Sequence, residues 1–291
     1  SRSSAQQLLL LEGERFIDER FLLQRLLRTG MTVVDVGANI GYYLLLAKQS
    51  VGAAGRVVCI EPSSENLPEL RRNIDINAFG NVSVHAVALG DHEGETGLQT
   101  GINSGIVEGA SGPYTVPLQR LDQVINERVD FLKIDVEGYE GQVLAGSESV
   151  LATHKPILFL ELHPHIVGRF GFSTSGILAD LKRPYTRVKL YEKQPAASQS
   201  VFDKIAIRYF GRDPLRVISD PAAYVALYDR GDREPDREIE RVQPDRAPEQ
   251  ALVEIPVEHH LAHAFEHMGR GQRPGHMLQP YRQHGHGIIH G

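Results

Sequence analysis

At 291 residues the chain is long enough for one full α/β domain with extensions, and its 41% hydrophobic content is ordinary for a globular protein. A formal net charge of −6 gives no general electrostatic reason to bind nucleic acid, no run approaches the roughly 18 apolar residues of a membrane span, and no signal-type N-terminus is present. The single cysteine, Cys59, lies in an apolar run and can form no internal disulfide, so a soluble, cytoplasmic protein is expected.

Residues 1–30 carry Leu8, Leu11, Phe21, Leu22, Leu26 and Leu27 on a helical pattern and are expected to cover the first strand. From Met31 the pattern alternates: strand 32–37, helix 41–50, strand 56–61, helix 64–78, strand 82–88. Gly94 to Pro113, rich in Gly and Ser, is too long for a simple connection and reads as a functional or disordered loop. Strand 130–136, helix 139–152 and strand 156–162 follow; the unbroken run Ile157–Leu160 marks a central strand covered on both faces. A helix at 174–182 leads to two β-rich runs, Thr186–Tyr191 and Val201–Phe210. The alternation predicts a seven-stranded, mostly parallel sheet with helices on both faces over 31–212, and then a helical extension at 213–230.

Residues 231–291 mix charges and prolines without a sustained apolar period, the composition of a disordered tail. They also hold eight of the thirteen histidines. His259, His263 and His267 would share one helical face, a spacing compatible with a transition metal.

Val33 to Tyr43, VVDVGANIGYY, reads as strand, tight turn and helix, the opening of a nucleotide site in a doubly wound protein. Gly37 and Gly41 let the backbone turn sharply and approach a ligand, and Asn39 tolerates positive φ. A dinucleotide fingerprint would need glycine where Asn39 and Tyr42 stand, so NAD and FAD are disfavoured. The chain contains no G-x-x-x-x-G-K-[ST], which removes the P-loop hydrolases. What remains is D-x-G-x-N-x-G followed by a second strand, Arg56–Ile60. That strand ends in Glu61, a carboxylate able to accept hydrogen bonds from both hydroxyls of a ribose. A glycine turn in some other α/β fold would present the same local chemistry.

With CIEPSSENLPELRRNIDIN (Cys59–Asn77), VPLQRLD (Val116–Asp122), DFLKIDVEGYEGQVLAG (Asp130–Gly146) and FLELHP (Phe159–Pro164) in the same order, the chain resembles the FkbM-type S-adenosylmethionine-dependent methyltransferases over about residues 30–210. The resemblance implies a class I methyltransferase (Rossmann-like) fold whose last strand inserts antiparallel. It also implies S-adenosyl-L-methionine as cofactor and O-methylation of a small-molecule or glycan hydroxyl, such as that of a sugar or a natural product.

Ligands of open α/β sheets bind beyond the carboxyl ends of the strands. Asp35 is then expected to orient the glycine turn or meet the amino-acid part of the cofactor. Gly37, Asn39, Gly41 and Tyr42 form the cofactor turn, Glu61 holds the ribose, and Pro62 and Val87 wall the adenine. Lys133, Asp135 and Glu137 recur at alternate positions of one strand, which is costly unless they are paired or functional; the structural alternative is an internal Lys133–Asp135 ion pair. Asp135 falls where the transferred methyl should sit, and Glu137 opens the VEGYE turn.

His163, in ELHP, has an ordinary pKa suited to taking a hydroxyl proton and is the candidate general base, with His165 ranked second. Asp135, Glu161 and His163 could instead hold a divalent ion, but three ligands are few for Mg²⁺, and the metal-free arrangement is favoured. N-methylation, a non-catalytic methyltransferase-like binding module and a metal-binding role for the histidine tail remain as alternatives.

Overall fold

Six β-branched or apolar runs of four to six residues build one sheet: β1 (Thr32–Val36), β2 (Arg56–Ile60), β3 (Val82–His85), β8 (Phe131–Ile134), β9 (Ile157–Leu160) and β10 (Arg187–Glu192). Two later runs complete it, β11 (Arg216–Val217) and β12 (Leu252–Val257). The structure, a computed structural model, describes residues 17–99, 105–107, 113–192, 216–217 and 252–257. All fall within the first of the chain's two units, Ser1–His259 and His260–Gly291. The strand order is β3-β2-β1-β8-β9-β12-β10-β11. Every pair is parallel except β10–β11.

The strand residues alternate between two cores, as the period of two requires. Val34, Val36, Val58, Ile60, Leu132, Ile134, Leu158 and Leu160 join one apolar cluster. Val33, Val57, Cys59, Phe131 and Phe159 join the other. Helices α1 (Ile17–Leu26), α2 (Tyr42–Val51) and α3 (Leu67–Ile76) supply the second cluster with Leu22, Leu23, Leu44, Ala47 and Leu70, and the leading helix packs against α2. The first cluster takes residues from α4 (Leu121–Val124), α5 (Glu140–Ala145), α6 (Glu148–Thr153), α7 (Pro164–Val167) and α8 (Thr174–Leu181). An α/β fold with a mostly parallel sheet covered on both faces is therefore present.

Four details differ from the sequence reading. The stretch read as a loop, Gly94–Pro113, contributes to a second sheet made of β4 (Ala88–Leu89), β5 (Gly94–Gln99), β6 (Gly105–Val107) and β7 (Tyr114–Gln119), ordered β4-β7-β5-β6. Its glycines hide the alternation, yet Leu98, Val116 and Leu118 are buried in the first cluster. The helix expected at 139–152 is two helices, the first capped by Gly146 and the second by Ser147; a Cβ added at Gly146 would lie 1.9 Å from the Gly90 carbonyl oxygen, so the break sits at a point of close backbone approach.

Arg216–Val217, expected as helix, pairs antiparallel with Tyr191 and Glu192. Leu252–Val257, expected as disordered tail, is a strand paired parallel with both β9 and β10. It occupies the place where the resemblance implied an antiparallel strand, and its LVEIPV sequence has the β-branched character strands favour. The remaining tail, its histidines and the run Val201–Phe210 lie outside the described residues. No described helix is long and apolar enough to cross a membrane.

The inserted strand gives a direct test. A chain ending at residue 250 should unfold at lower urea concentration than one ending at residue 258, since the first lacks two ladders of hydrogen bonds; equal midpoints would remove β12 from the sheet.

Candidate active site

The site is assembled from turns that leave β1, β2, β8 and β9 at the same end of the sheet. Asp35 lies within β1, directly between Cys59 of β2 and Lys133 of β8 in the ladder. Beyond it the chain enters the left-handed region at Gly37 (φ 76°), Asn39 (φ 51°) and Gly41 (φ 94°), as D-x-G-x-N-x-G anticipated. The close approach that demands glycine at 37 is to protein: an added Cβ would lie 1.9 Å from the Asp135 carbonyl oxygen. At Gly41 it would meet Leu70 Cδ1 at 2.9 Å. Tyr42 opens α2 and packs edge-on against Tyr43, with ring centroids 5.7 Å apart.

Glu61 is buried one residue past β2. Its Oε2 accepts the Asn39 N–H at 2.8 Å; its Oε1 accepts the Ser63 N–H at 2.9 Å and the Asn66 amide at 3.3 Å. Burial pushes its carboxyl up, and these donors pull it back. Glu61 thus clamps the glycine turn, a task beyond the ribose contact foreseen from sequence. Pro62 and Val87 are half-buried nearby in sequence to the β2 and β3 ends, Val87 packing on the first cluster.

Lys133 organises the centre. It is 2% exposed, and its Nζ stands 3.1 Å from Asp35 Oδ1 and 3.5 Å from Asp135 Oδ2, donates to the Gly37 carbonyl at 3.2 Å, and lies 4.3 Å from the centre of the Tyr43 ring. Burial works against its charge, but Asp35, Asp135 and Glu161 outweigh burial and hold it above its ordinary value. The internal ion pair is therefore present and includes Asp35 as well as Asp135. Asp35 Oδ2 is buried without a hydrogen bond, and burial raises its carboxyl against the pull of Lys133.

The turns after β8 and β9 meet at His163. Its Nδ1 is 2.8 Å from Glu140 Oε1, and its Nε2, buried without a hydrogen bond, faces Glu137 Oε2 at 3.4 Å. Burial pushes the ring toward neutrality, yet Glu140, Glu137 and Asp135 prevail and raise His163 well above the usual histidine value. Glu137 adopts φ 54° and Gly138 φ 104°; a Cβ on Gly138 would be 2.3 Å from Ile166 Cγ2, so this turn sits directly on α7. One ligand atom each from Asp135, Glu161 and His163 all lie within 4.8 Å of one another.

Every residue singled out on β8 and β9 except His165, whose side chain is not described, converges here. Glu140 was missed. The signal available was its place in VEGYE, but its histidine partner is 23 residues away.

The chain is similar to several known proteins. An "AMB antimetabolite synthetase" of Pseudomonas aeruginosa is 27% identical over 280 residues, covering 74% of this chain, which spans only 13% of that protein's length. A methyltransferase FkbM structure from Methylobacillus flagellatus KT is 27% identical over 44% of this chain and 32% of its own, with a TM-score of 0.36. An S-adenosylmethionine-dependent methyltransferase from Aquifex aeolicus is 21% identical, covering 54% and 71% of the two chains, with a TM-score of 0.34. The model of the methyltransferase FkbM domain matches residues 35–186, just over half of the chain and the whole of the site described above. The chain belongs to the FkbM family of S-adenosylmethionine-dependent methyltransferases.

Proposed function

We propose that the protein transfers the methyl of S-adenosylmethionine to a hydroxyl of a sugar or secondary metabolite. The observation that carries this reading is His163 itself: Nδ1 is held by a fully buried carboxylate, and Nε2 is buried, without a hydrogen bond, beside Asp135 and Glu137. That is an oriented proton acceptor at the end of the sheet where ligands bind. The residues present also fit the cofactor. A left-handed turn at Gly37, Asn39 and Gly41 is clamped by Glu61, Asp35 keeps an oxygen without a hydrogen bond, and the excess of carboxylates suits a cationic ligand.

S-adenosylmethionine supplies a methyl already activated on a sulfonium, so the chain's work is alignment and proton removal. Glu61 and the glycine turn would hold the nucleoside end, and Asp35, fixed by Lys133, would meet the amino-acid end. Asp135 would line the place of the reacting methyl, and His163 would take the hydroxyl proton at Nε2 as the methyl leaves the sulfonium for the oxygen. A relative named for antimetabolite synthesis supports a secondary metabolite as acceptor.

A divalent ion is the second reading, and one observation favours it: Asp135, Glu161 and His163 bring a ligand atom each within 4.8 Å of one another. In that case the ion would acidify the hydroxyl, with water completing its shell.

Incubation with isotopically labelled S-adenosylmethionine and a panel of hydroxylated and aminated small molecules tests the proposal. Label attached through oxygen supports it, and label found only on nitrogen replaces it with N-methylation. Glu61→Ala should weaken cofactor binding by about 1.5–3 kcal/mol, the value of hydrogen bonds to a charged group. Calorimetry reads this directly, and unchanged affinity would remove Glu61 from the site.

A further inference from the structure

Glu140 is the first residue of α5 and has no exposed surface. An acid at a helix start is ordinarily a solvated partner for the helix dipole. This one is turned inward, and its Oε1 is shared between the Gly138 N–H and His163 Nδ1, each at 2.8 Å. Its other oxygen is buried without a hydrogen bond, so the carboxylate's contacts are concentrated on that shared atom. Those two contacts join the turn after β8, which carries Asp135 and Glu137, to the turn after β9, which carries Glu161 and His163. Packing repeats the connection independently, because Gly138 is pressed against Ile166 two residues beyond Pro164.

We propose that Glu140 is the positioning residue of this site: by accepting the Nδ1 proton of His163 it fixes the neutral ring as the Nδ1–H tautomer and turns the Nε2 lone pair toward Asp135, Glu137 and Glu161. The inference rests on the reading of His163 as the residue that faces the acceptor, and it adds what selects the ring's form. An imidazole has one lone pair when neutral, and the hydrogen bond at one nitrogen decides which nitrogen keeps it. Without Glu140, Nε2 would carry the proton for part of the time, and in that form it can neither accept a proton nor bind a cation.

The test uses the full chain with ¹⁵N-labelled histidine rings and two-bond ¹⁵N–¹H correlation, at a pH alkaline enough for His163 to hold one proton. The His163 signals are identified by their loss in His163→Gln. The wild type should show His163 as the Nδ1–H tautomer. Glu140→Leu, which removes the acceptor, should shift it toward Nε2–H, because Glu137 Oε2, 3.4 Å from Nε2, is then the carboxylate left to take the ring proton; glutamine is not the test, since Oε1 also accepts the Gly138 N–H and an amide would keep its carbonyl oxygen there.

Glu140→Asp, with its carboxylate withdrawn by one methylene, should also lose the pure Nδ1–H signal and serves if the leucine variant does not fold. An Nε2–H ring in the wild type, or ring shifts unchanged in the folded variants, would overturn the proposal. The spectrum requires neither acceptor nor methyl transfer, so its outcome is separate from that of the methyltransferase assay.

Discussion

Replacing His163 by alanine is expected to lower turnover by about 10²–10⁴ while S-adenosylmethionine binds as before, the range for loss of a general base. The cofactor turn is built from β1 and β2 and is clamped by Glu61, whereas His163 stands at the end of β9. A change at His163 therefore acts on the reaction and spares cofactor affinity. A pH profile sharpens the expectation. Glu140, Glu137 and Asp135 outweigh burial and raise His163, so the ring gives up its second proton, and gains its free lone pair, at higher pH than an ordinary histidine. The wild-type kcat/KM should accordingly climb through the alkaline side of the ordinary histidine range, and this limb should vanish in His163→Ala. Chelation distinguishes the rival: loss of activity on chelation and recovery with Mg²⁺ or Mn²⁺ assigns Asp135, Glu161 and His163 to an ion. Full activity in both His163→Ala and chelated enzyme would refute both schemes and turn attention to Glu137.

Gly37→Ala should be the most damaging of the small substitutions. Position 37 has φ 76°, and a Cβ there would fall 1.9 Å from the Asp135 carbonyl oxygen, a backbone atom that cannot swing aside. The left-handed conformation costs an L-residue about 1–2 kcal/mol, and overpacking adds about 1–3 kcal/mol, for a total of roughly 2–5 kcal/mol. That is a large fraction of a typical domain's stability. Gly30→Ala is the control, since φ is 86° but nothing lies within 4 Å of an added Cβ. It should show only the conformational cost. Equal losses of stability in the two variants, measured by urea unfolding, would show that the contact with the β8 turn is not what requires glycine at 37.

What could be read in the sequence was local. The left-handed residues Gly37, Asn39 and Gly41 announce themselves because backbone chemistry restricts which side chains tolerate positive φ. Alternation at Lys133 and Asp135 showed charges on one side of a buried strand, and the structure adds Asp35 as the third member. What escaped was set by distant partners. Leu252–Val257 is an ordinary apolar run embedded among charges and prolines, and only its pairing with β9 and β10 makes it a central strand. Gly94–Gln99 has two glycines in six residues and becomes a strand through antiparallel pairing with Tyr114–Gln119. Glu140 was not singled out because nothing in its neighbourhood in the chain reveals His163.

The turn Gly37–Gly41, held by Glu61 and lacking the dinucleotide glycines, is the basis for assigning S-adenosylmethionine and not NAD. Calorimetric titration of the full chain with S-adenosylmethionine, its demethylated product and NAD measures that choice. Micromolar binding of the first two with no heat from NAD is predicted; heat from NAD with none from S-adenosylmethionine would contradict the account.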